Sequence, residues 1–382
     1  MRVLFVTYAS LDSNVGIQIF NLVNHLTLLG VECSVCVPRQ GGTSLTDVEP
    51  LFKVFDVEDA RRAATGRRVD LIHAWTPREK VRRMTSELLA IYSCPYVVHL
   101  EDNEEFLLRA RGTFPVPILQ YVPFFLLDRL TRGSIVHPRR YKEFLAGARG
   151  ITIIVDALRK YCPERARVEL TGAGYQEDMQ WDMPRDLELR RELGIAATEF
   201  VVLYPGNVHV ANRQEVASLY LAVELLQTRG LPIKLVRTGS DPVHPLGPWA
   251  NARKHNYSLE LGWVARSRMP FLFSISDALV QPGVPGPFND YRLPAKLPEC
   301  LASGKPVVLP RANLGLLLKD GEECLLLGEG GASDIARKLE LLFSDEILRK
   351  KIGSGGRRFA EQNLRWSSIA SRLYSFYRAL LE

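Results

Sequence analysis

The sequence predicts an α/β protein made of two Rossmann-like domains, and three observations predict it. Short runs rich in β-branched and aromatic residues alternate with helix-length amphipathic segments from end to end, the pattern of parallel strands covered by helices. The alternation occurs twice, on either side of an aperiodic stretch at 171–184, TGAGYQEDMQWDMP, which carries two glycines and a proline. The 382 residues, 46% hydrophobic and 24% charged, suffice for two ordinary cores.

In the first series, strands are predicted at 3–6, 34–37, 71–73, 96–100 and 151–154. A helix starting near Ile17 joins the first two, with Ile19, Leu22, Val23, Leu26 and Leu29 at helical spacing and Gly30 ending it. That is a βαβ unit. The second series has strands at 200–204, 233–236, 278–281 and 307–309, each followed by a helix-like segment, and a final helix covers 366–381. The linker divides the chain into an N-terminal domain at 1–172, a C-terminal domain at 185–364 and a terminal helix within 365–382.

The net charge of +6 is spread along the chain, so no nucleic-acid partner is expected. Its one local concentration, Arg61, Arg62, Arg67, Arg68, Arg78, Lys80, Arg82 and Arg83, is interleaved with Asp70 and Glu79 and reads as a solvated helix surface rather than an anion-attracting patch. The opening MRVLFVTYAS turns polar within a few residues, as a buried strand does and a signal segment does not. The longest apolar run, FPVPILQYVPFFLL at 114–127, is shorter than the roughly 20 residues of a spanning helix and contains three prolines. Of six cysteines, Cys33 and Cys36 are the only close pair, and their odd separation on a strand puts them on opposite faces. Neither a metal site nor a disulfide framework follows, and reduced thiols in the cytoplasm are the expectation.

Two parallel sheets collect ligands outside the carboxyl ends of their strands, so function is sought in the loops that follow strands. The first such loop, ASLDSNVG at 9–16, has two readings. Helix-start N–H groups could hold an anion, with Gly16 allowing close approach, or Gly16 is a turn glycine and Ser13 or Asn14 the helix cap. The loop lacks G-x-G-x-x-G, which argues against a nicotinamide enzyme.

The strongest signal is PGVPGPFNDYRLPAKLPECLASGKPVVLP at 282–310. A glycine- and proline-rich loop leads into a short helix at 295–302, closed by Gly304 before a buried strand. Its first N–H groups can hold a diphosphate, Lys296 adds a charge, and Glu299 one turn on can accept two ribose hydroxyls. The plainer reading makes Glu299 a solvated helix residue and Lys296 a surface lysine.

This segment resembles the GT-B glycosyltransferases, in particular glycosyltransferase family 4, the group 1 glycosyltransferases, whose late helix reads Pro, Lys, Glu, Ala, Gly, then Pro-Val-Val. The resemblance extends to the first strand and its glycine loop, YPGNVHVANRQE at 204–215, ELGWV at 260–264 and the aromatic terminal helix. It implies two facing domains with a donor cleft between them and a terminal helix packing back toward the N-terminal domain. It also implies retaining, metal-independent transfer from a nucleotide diphosphate sugar, with no cofactor, to a sugar, lipid-linked or small-molecule acceptor. Donor contacts then fall on Gly16, Asn207, Arg213, Gly239, Val264, Tyr291, Lys296, Leu297 and Glu299.

Two departures stand out. The family's first glutamate, seven residues before its second, falls on Tyr291, so Tyr291, or Asn289 and Asp290 beside it, must contact the transferred sugar differently. The Arg and Lys that follow the first strand of the C-terminal domain become Asn207 and Arg213, of which only Arg213 keeps its charge.

The loop after 96–100 holds His99, Glu101, Asp102, Glu104 and Glu105. Family members often place a histidine there, facing the reaction centre. In this chain Glu101 or Asp102 takes that place and His99 falls early, on the strand, so these three are the catalytic candidates. An acidic helix start is the alternative. Gly262, Trp263 and Val264 read either as a base-binding loop or as a packed core tryptophan, and Gly239 as a close-approach glycine or a turn. Peripheral contact at the inner face of the membrane, through 114–127 and its flanking Arg109, Arg111, Arg129 and Arg132, stands against burial of that run on the sheet. Two rival functions remain: a nucleotide-sugar epimerase of the same fold, and a non-catalytic nucleotide-sugar-binding partner subunit.

Overall fold

A computed structural model of the protein describes residues 1–11, 13–38, 49–59, 68–111, 121–123, 126, 135–247, 251 and 254–382. The chain forms two compact units: Met1–Ala173 with Tyr291–Ala295 and Trp366–Glu382, and Gly174–Asp290 with Lys296–Arg365. Arg61, Arg62, Arg67, Arg129, Arg132 and most of 114–127 lie outside the described residues. Among the described residues no helix is long and apolar enough to cross a membrane.

The first unit is built on a seven-stranded sheet in the order β3-β2-β1-β4-β5-β6-β7. The strands are β1 (Arg2–Val6), β2 (Glu32–Cys36), β3 (Lys53–Phe55), β4 (Leu71–Trp75), β5 (Tyr96–Leu100), β6 (Gly150–Ile153) and β7 (Val168–Leu170), all paired in parallel. Helices α1 (Asn14–Leu28), α2 (Glu79–Tyr92) and α3 (Glu104–Arg111) follow strands, and α4 (Arg140–Ala146) leads into β6. A parallel sheet covered on both faces needs apolar residues on both, and β4 is buried at all five positions. For the same reason Cys33 and Cys36 are both buried although they face opposite ways.

The second unit has a six-stranded parallel sheet in the order β10-β9-β8-β11-β12-β13. Its strands are β8 (Phe200–Pro205), β9 (Ile233–Thr238), β10 (Ser258–Glu260), β11 (Ala278–Val280), β12 (Val307–Pro310) and β13 (Leu325–Leu327). The helices are α5 (Leu187–Glu192), α6 (Arg213–Thr228), α7 (Met269–Ile275), α8 (Leu297–Ala302), α9 (Ala332–Ser344) and α10 (Glu346–Asn363). Its core joins Val202, Tyr204, Leu235 and Val308 on strands to Val216, Tyr220, Val223, Ile335 and Leu339 on α6 and α9.

The last helix, α11 (Trp366–Leu381), belongs to the first unit. Tyr377 is fully buried there and its hydroxyl lies 2.5 Å from His73 Nδ1 on β4. His73 Nε2 and His99 Nδ1 both reach the Thr152 hydroxyl, at 3.0 and 2.9 Å. Burial pushes the His73 imidazole down to about 3 and that of His99 well below its usual range, so both rings stay neutral.

Three local expectations are corrected. Helix α1 starts at Asn14 rather than near Ile17, because Ser13 Oγ accepts from Gly16 N at 3.0 Å and caps it. Leu29 is the residue after the helix and is 42% exposed, so it leaves the apolar face. The basic cluster is not simply a solvated surface: Arg78 is buried, and Arg82 pairs with the buried Glu79.

Candidate functional site

The loops after the strands of the second unit interlock through backbone and amide groups. Asn207, just past β8, accepts the Ser240 N–H at 2.8 Å with its side-chain oxygen, while its own carbonyl accepts from Asn212 Nδ2 at 2.9 Å. Asn207 is therefore a brace between two loops and supplies no charge. Gly239, at φ +106°, donates to the Gly262 carbonyl at 2.7 Å. A Cβ there would meet the Gly206 carbonyl and the Asn207 amide oxygen at 2.7 and 2.6 Å, so the close approach that needs a glycine is to the chain itself.

Arg213 is the first residue of α6, is exposed, and has no ion-pair partner among the described residues. No side chain caps this sixteen-residue helix: the amide oxygen of its N-cap residue, Asn212, accepts from His209 N at 2.8 Å instead. Its leading N–H groups, with the positive end of the helix dipole and Arg213 beside them, form an anion-attracting point.

The late helix is shorter than expected. Helix α8 begins at Leu297 rather than 295, is six residues long and has Lys296 as its N-cap without a side-chain cap bond. Pro298 has no N–H, so only Leu297 and Glu299 offer backbone donors in the first turn. The leucine side chain is buried, leaving its N–H as the only donor it could offer a ligand. An anion held by this helix end alone would be weakly held, which shifts weight to α6.

Glu299 is not the solvated helix residue of the plainer reading: it is 1% exposed. The guanidinium of Arg266 donates to its Oε1, and Lys296 Nζ, half-buried, lies 3.6 Å from Oε2. Among the described residues Oε2 itself has no hydrogen-bond donor and the buried Arg266 Nε no acceptor. Burying a carboxylate requires partners, and here two cations serve it. Nothing in sequence spacing pointed to Arg266, which lies 33 residues away on a different loop.

Trp263 is 81% exposed, which removes the packed-core reading. It follows Gly262, at φ +64°, and precedes the half-buried Val264 in the loop after β10. Glu260, at the end of β10, pairs with the buried Arg237, which also reaches Asp241 and the Gly206 carbonyl.

Tyr291 clusters with the first unit. Its hydroxyl accepts from Lys160 Nζ at 2.6 Å, its ring lies under the same ammonium at 4.2 Å, and Tyr161 packs edge-on against it. Asn289 instead donates to Glu215 Oε1 and to the Val284 carbonyl. In the first unit Gly16 also serves the chain: a Cβ on it would lie 2.3 Å from Leu11 Cα, and its N–H is taken by Ser13.

The acidic loop divides in three. Asn103 Oδ1 accepts from Phe106 N at 3.0 Å and caps α3, so Glu104 and Glu105 are first-turn carboxylates. Arg78 is buried against Glu104 and Asp102, at 2.9 Å from each, with its guanidinium over the Tyr8 ring. Glu101 precedes the cap and belongs to neither arrangement. It is buried, accepting from Trp75 Nε1 at 3.0 Å and Tyr8 OH at 3.3 Å. Burial pushes its carboxyl up to about 7, with Asp102 and Glu104 adding and Arg78 opposing. His99 stacks on Trp75 at 4.0 Å, fully buried within the sheet.

Residues 199–345 match the family model described as Glycosyl transferases group 1. No curated protein sequence matches the chain significantly. Among solved structures, sucrose-phosphate synthase (tll1590) from Thermosynechococcus elongatus is 14% identical and superposes with a TM-score of 0.74 over 99% of this chain and 98% of its own. Alr3699/HepE of Anabaena, solved with UDP and glucose, is 16% identical with a TM-score of 0.70 over 99% and 100%. A putative UDP-N-acetylglucosamine 2-epimerase from Listeria monocytogenes, 12% identical, reaches 0.59 over 99% and 96%. Likeness at this level of identity speaks for the fold, which transferases and an epimerase share. The protein thus has the two-domain GT-B fold, and its residues 199–345 form a group 1 glycosyltransferase domain.

Proposed function

We propose that the chain is a retaining glycosyltransferase that takes a sugar from a nucleotide diphosphate sugar, with Glu299 holding the donor ribose. The observation that carries this reading is the Glu299 carboxylate, buried within the matched segment yet left, among the described residues, with one oxygen free of hydrogen bonds. A ribose hydroxyl is the donor such an acceptor lacks. In this reading, charge developing on the diphosphate leaving group is met by Arg213, Lys296 and the first N–H groups of α6, with no metal required. Trp263 and Val264 take the base. Glu101, whose carboxyl titrates near neutrality, serves the acceptor side, where a group of that pKa can take and return a proton.

UDP is the first probe, because the Anabaena protein similar to this chain was solved with it. Calorimetric titration with UDP, and then with GDP, ADP and TDP, compares wild type with Glu299→Ala. Loss of charge-assisted hydrogen bonds of about 1.5–3 kcal/mol each weakens binding by about tenfold or more. The control is Glu340→Ala, since Glu340 is exposed on α9; Glu260 is unsuitable because it neutralises buried Arg237. Equal affinities in all three proteins would overturn the assignment. Turnover unchanged by EDTA and a product with the donor's anomeric configuration are the expected signs of a metal-free retaining transfer. Sugar nucleotide recovered with altered ring stereochemistry, in the absence of acceptor, would make it an epimerase instead.

A further inference from the structure

We propose that Arg266 is a specificity-determining residue which, with Glu299, reads the two adjacent hydroxyls of the ribose as one donor–acceptor pair. The inference rests on the reading of Glu299 as the ribose-binding carboxylate and adds to it a second recognising group.

The argument starts from an incomplete ion pair. A guanidinium and a carboxylate that meet side by side form two parallel N–H···O bonds. Here only one of the two legs is closed, Arg266 Nη2 to Glu299 Oε1. The other leg is open on both sides: Glu299 Oε2 and Arg266 Nε are each buried and, among the described residues, without a hydrogen-bond partner. Lys296 attracts Oε2 electrostatically but at 3.6 Å stands beyond hydrogen-bond reach. Buried groups of this kind are rarely left unmet in a working protein.

The two open atoms are chemically opposite. The carboxylate oxygen only accepts and the guanidinium Nε–H only donates. A hydroxyl both donates and accepts, and the two hydroxyls on neighbouring ribose carbons can meet both atoms, one donating to Oε2 and the other accepting from Nε. Arg266 lies in the loop just after Trp263 and Val264, so the diol-reading atoms and the proposed base-binding residues arise from one short segment. A site built this way discriminates strongly, because an analogue lacking a hydroxyl leaves a buried polar atom with nothing to bond.

The test uses UDP, 2′-deoxy-UDP and 3′-deoxy-UDP, titrated by calorimetry into the full chain as wild type, Arg266→Lys, Arg266→Met and Glu299→Ala. Arg266→Lys keeps a cation beside Glu299 but has no guanidinium fork, which guards against a variant that merely fails to fold. Wild type should bind UDP about tenfold or more tightly than either deoxy probe. In both Arg266 variants the penalty for one of the two deoxy probes should shrink to about twofold or less while the other persists. Penalties that both persist, or that shrink together, overturn the inference and leave Arg266 as a charge partner. Glu299→Ala separates the two failures: if UDP affinity is unchanged there, it is the ribose reading itself that has failed.

Discussion

The acidic loop of the first unit and the Glu299 cluster of the second both bury carboxylates at the carboxyl ends of parallel strands, with opposite charge balance. In the first, Asp102 and Glu104 pair with one guanidinium, that of Arg78, and the buried Glu101 beside them bonds Trp75 and Tyr8 instead. In the second, one carboxylate sits between Arg266 and Lys296. Burial, with Asp102 and Glu104 adding to it against Arg78, makes Glu101 hold its proton to near neutrality. The surplus of cations leaves the second cluster with positive charge to offer an anion. Similar residue types thus yield a proton-exchanging group in one unit and an anion-receiving group in the other.

The largest effect expected from breaking this contrast is on Arg78. Arg78→Met leaves Glu104 and Asp102 without their buried cation and should destabilise the protein by about 3–5 kcal/mol, read as a drop in thermal midpoint. A variant melting with the wild type would show that the loop does not depend on its one guanidinium.

The next effect is on pH dependence. Because the folded-state pKa of Glu101 is raised from 4.5 to about 7, its contribution to stability is complete below about pH 4.5 and is lost as pH rises through 7. Thermal melts from about pH 4.5 to about pH 8 should therefore show wild type losing midpoint relative to Glu101→Gln across that window. Parallel curves would mean that Glu101 is ionised throughout. Turnover in the same variant should fall while UDP affinity holds, since the group is assigned to the acceptor side.

The smallest effect on stability belongs to Trp263. Exposed as it is, Trp263→Ala should change unfolding free energy by no more than about 0.5 kcal/mol. UDP affinity in the same variant should fall severalfold through loss of contact with the base. A large stability loss, or unaltered affinity, would restore a purely structural role.

The strands that the sequence made legible and those it hid differ in position. Strands β3, β7, β10 and β13, absent from the sequence expectation, are the two edges of each sheet. Each is three residues long, a length at which a run is easily missed, although the equally short central β11 is legible. Central strands such as β4 and β8, buried on both faces, write long apolar runs into the chain. The candidate sites follow the same logic. Lys296 and Glu299 were legible because one helical turn brings them together. Arg266, Arg78 and Trp75 were not, because their partners arrive through the tertiary fold and no spacing along the chain encodes that meeting. At Gly16 and Gly239 the group that approaches closely is the chain itself, Leu11 in one case and Gly206 with Asn207 in the other.

The first unit is assembled from pieces far apart in the chain, with α11 supplying the fully buried Tyr377 against β4. Consequently, a nascent chain emerging from the ribosome can form most of the second unit before the first is finished. Strand β4, made early, must wait some three hundred residues for its tyrosine, |i−j| being 304 between His73 and Tyr377. During that interval His73 lacks the tyrosine that meets it in the finished unit, and the burial that keeps its ring neutral is complete only once synthesis has passed Trp366.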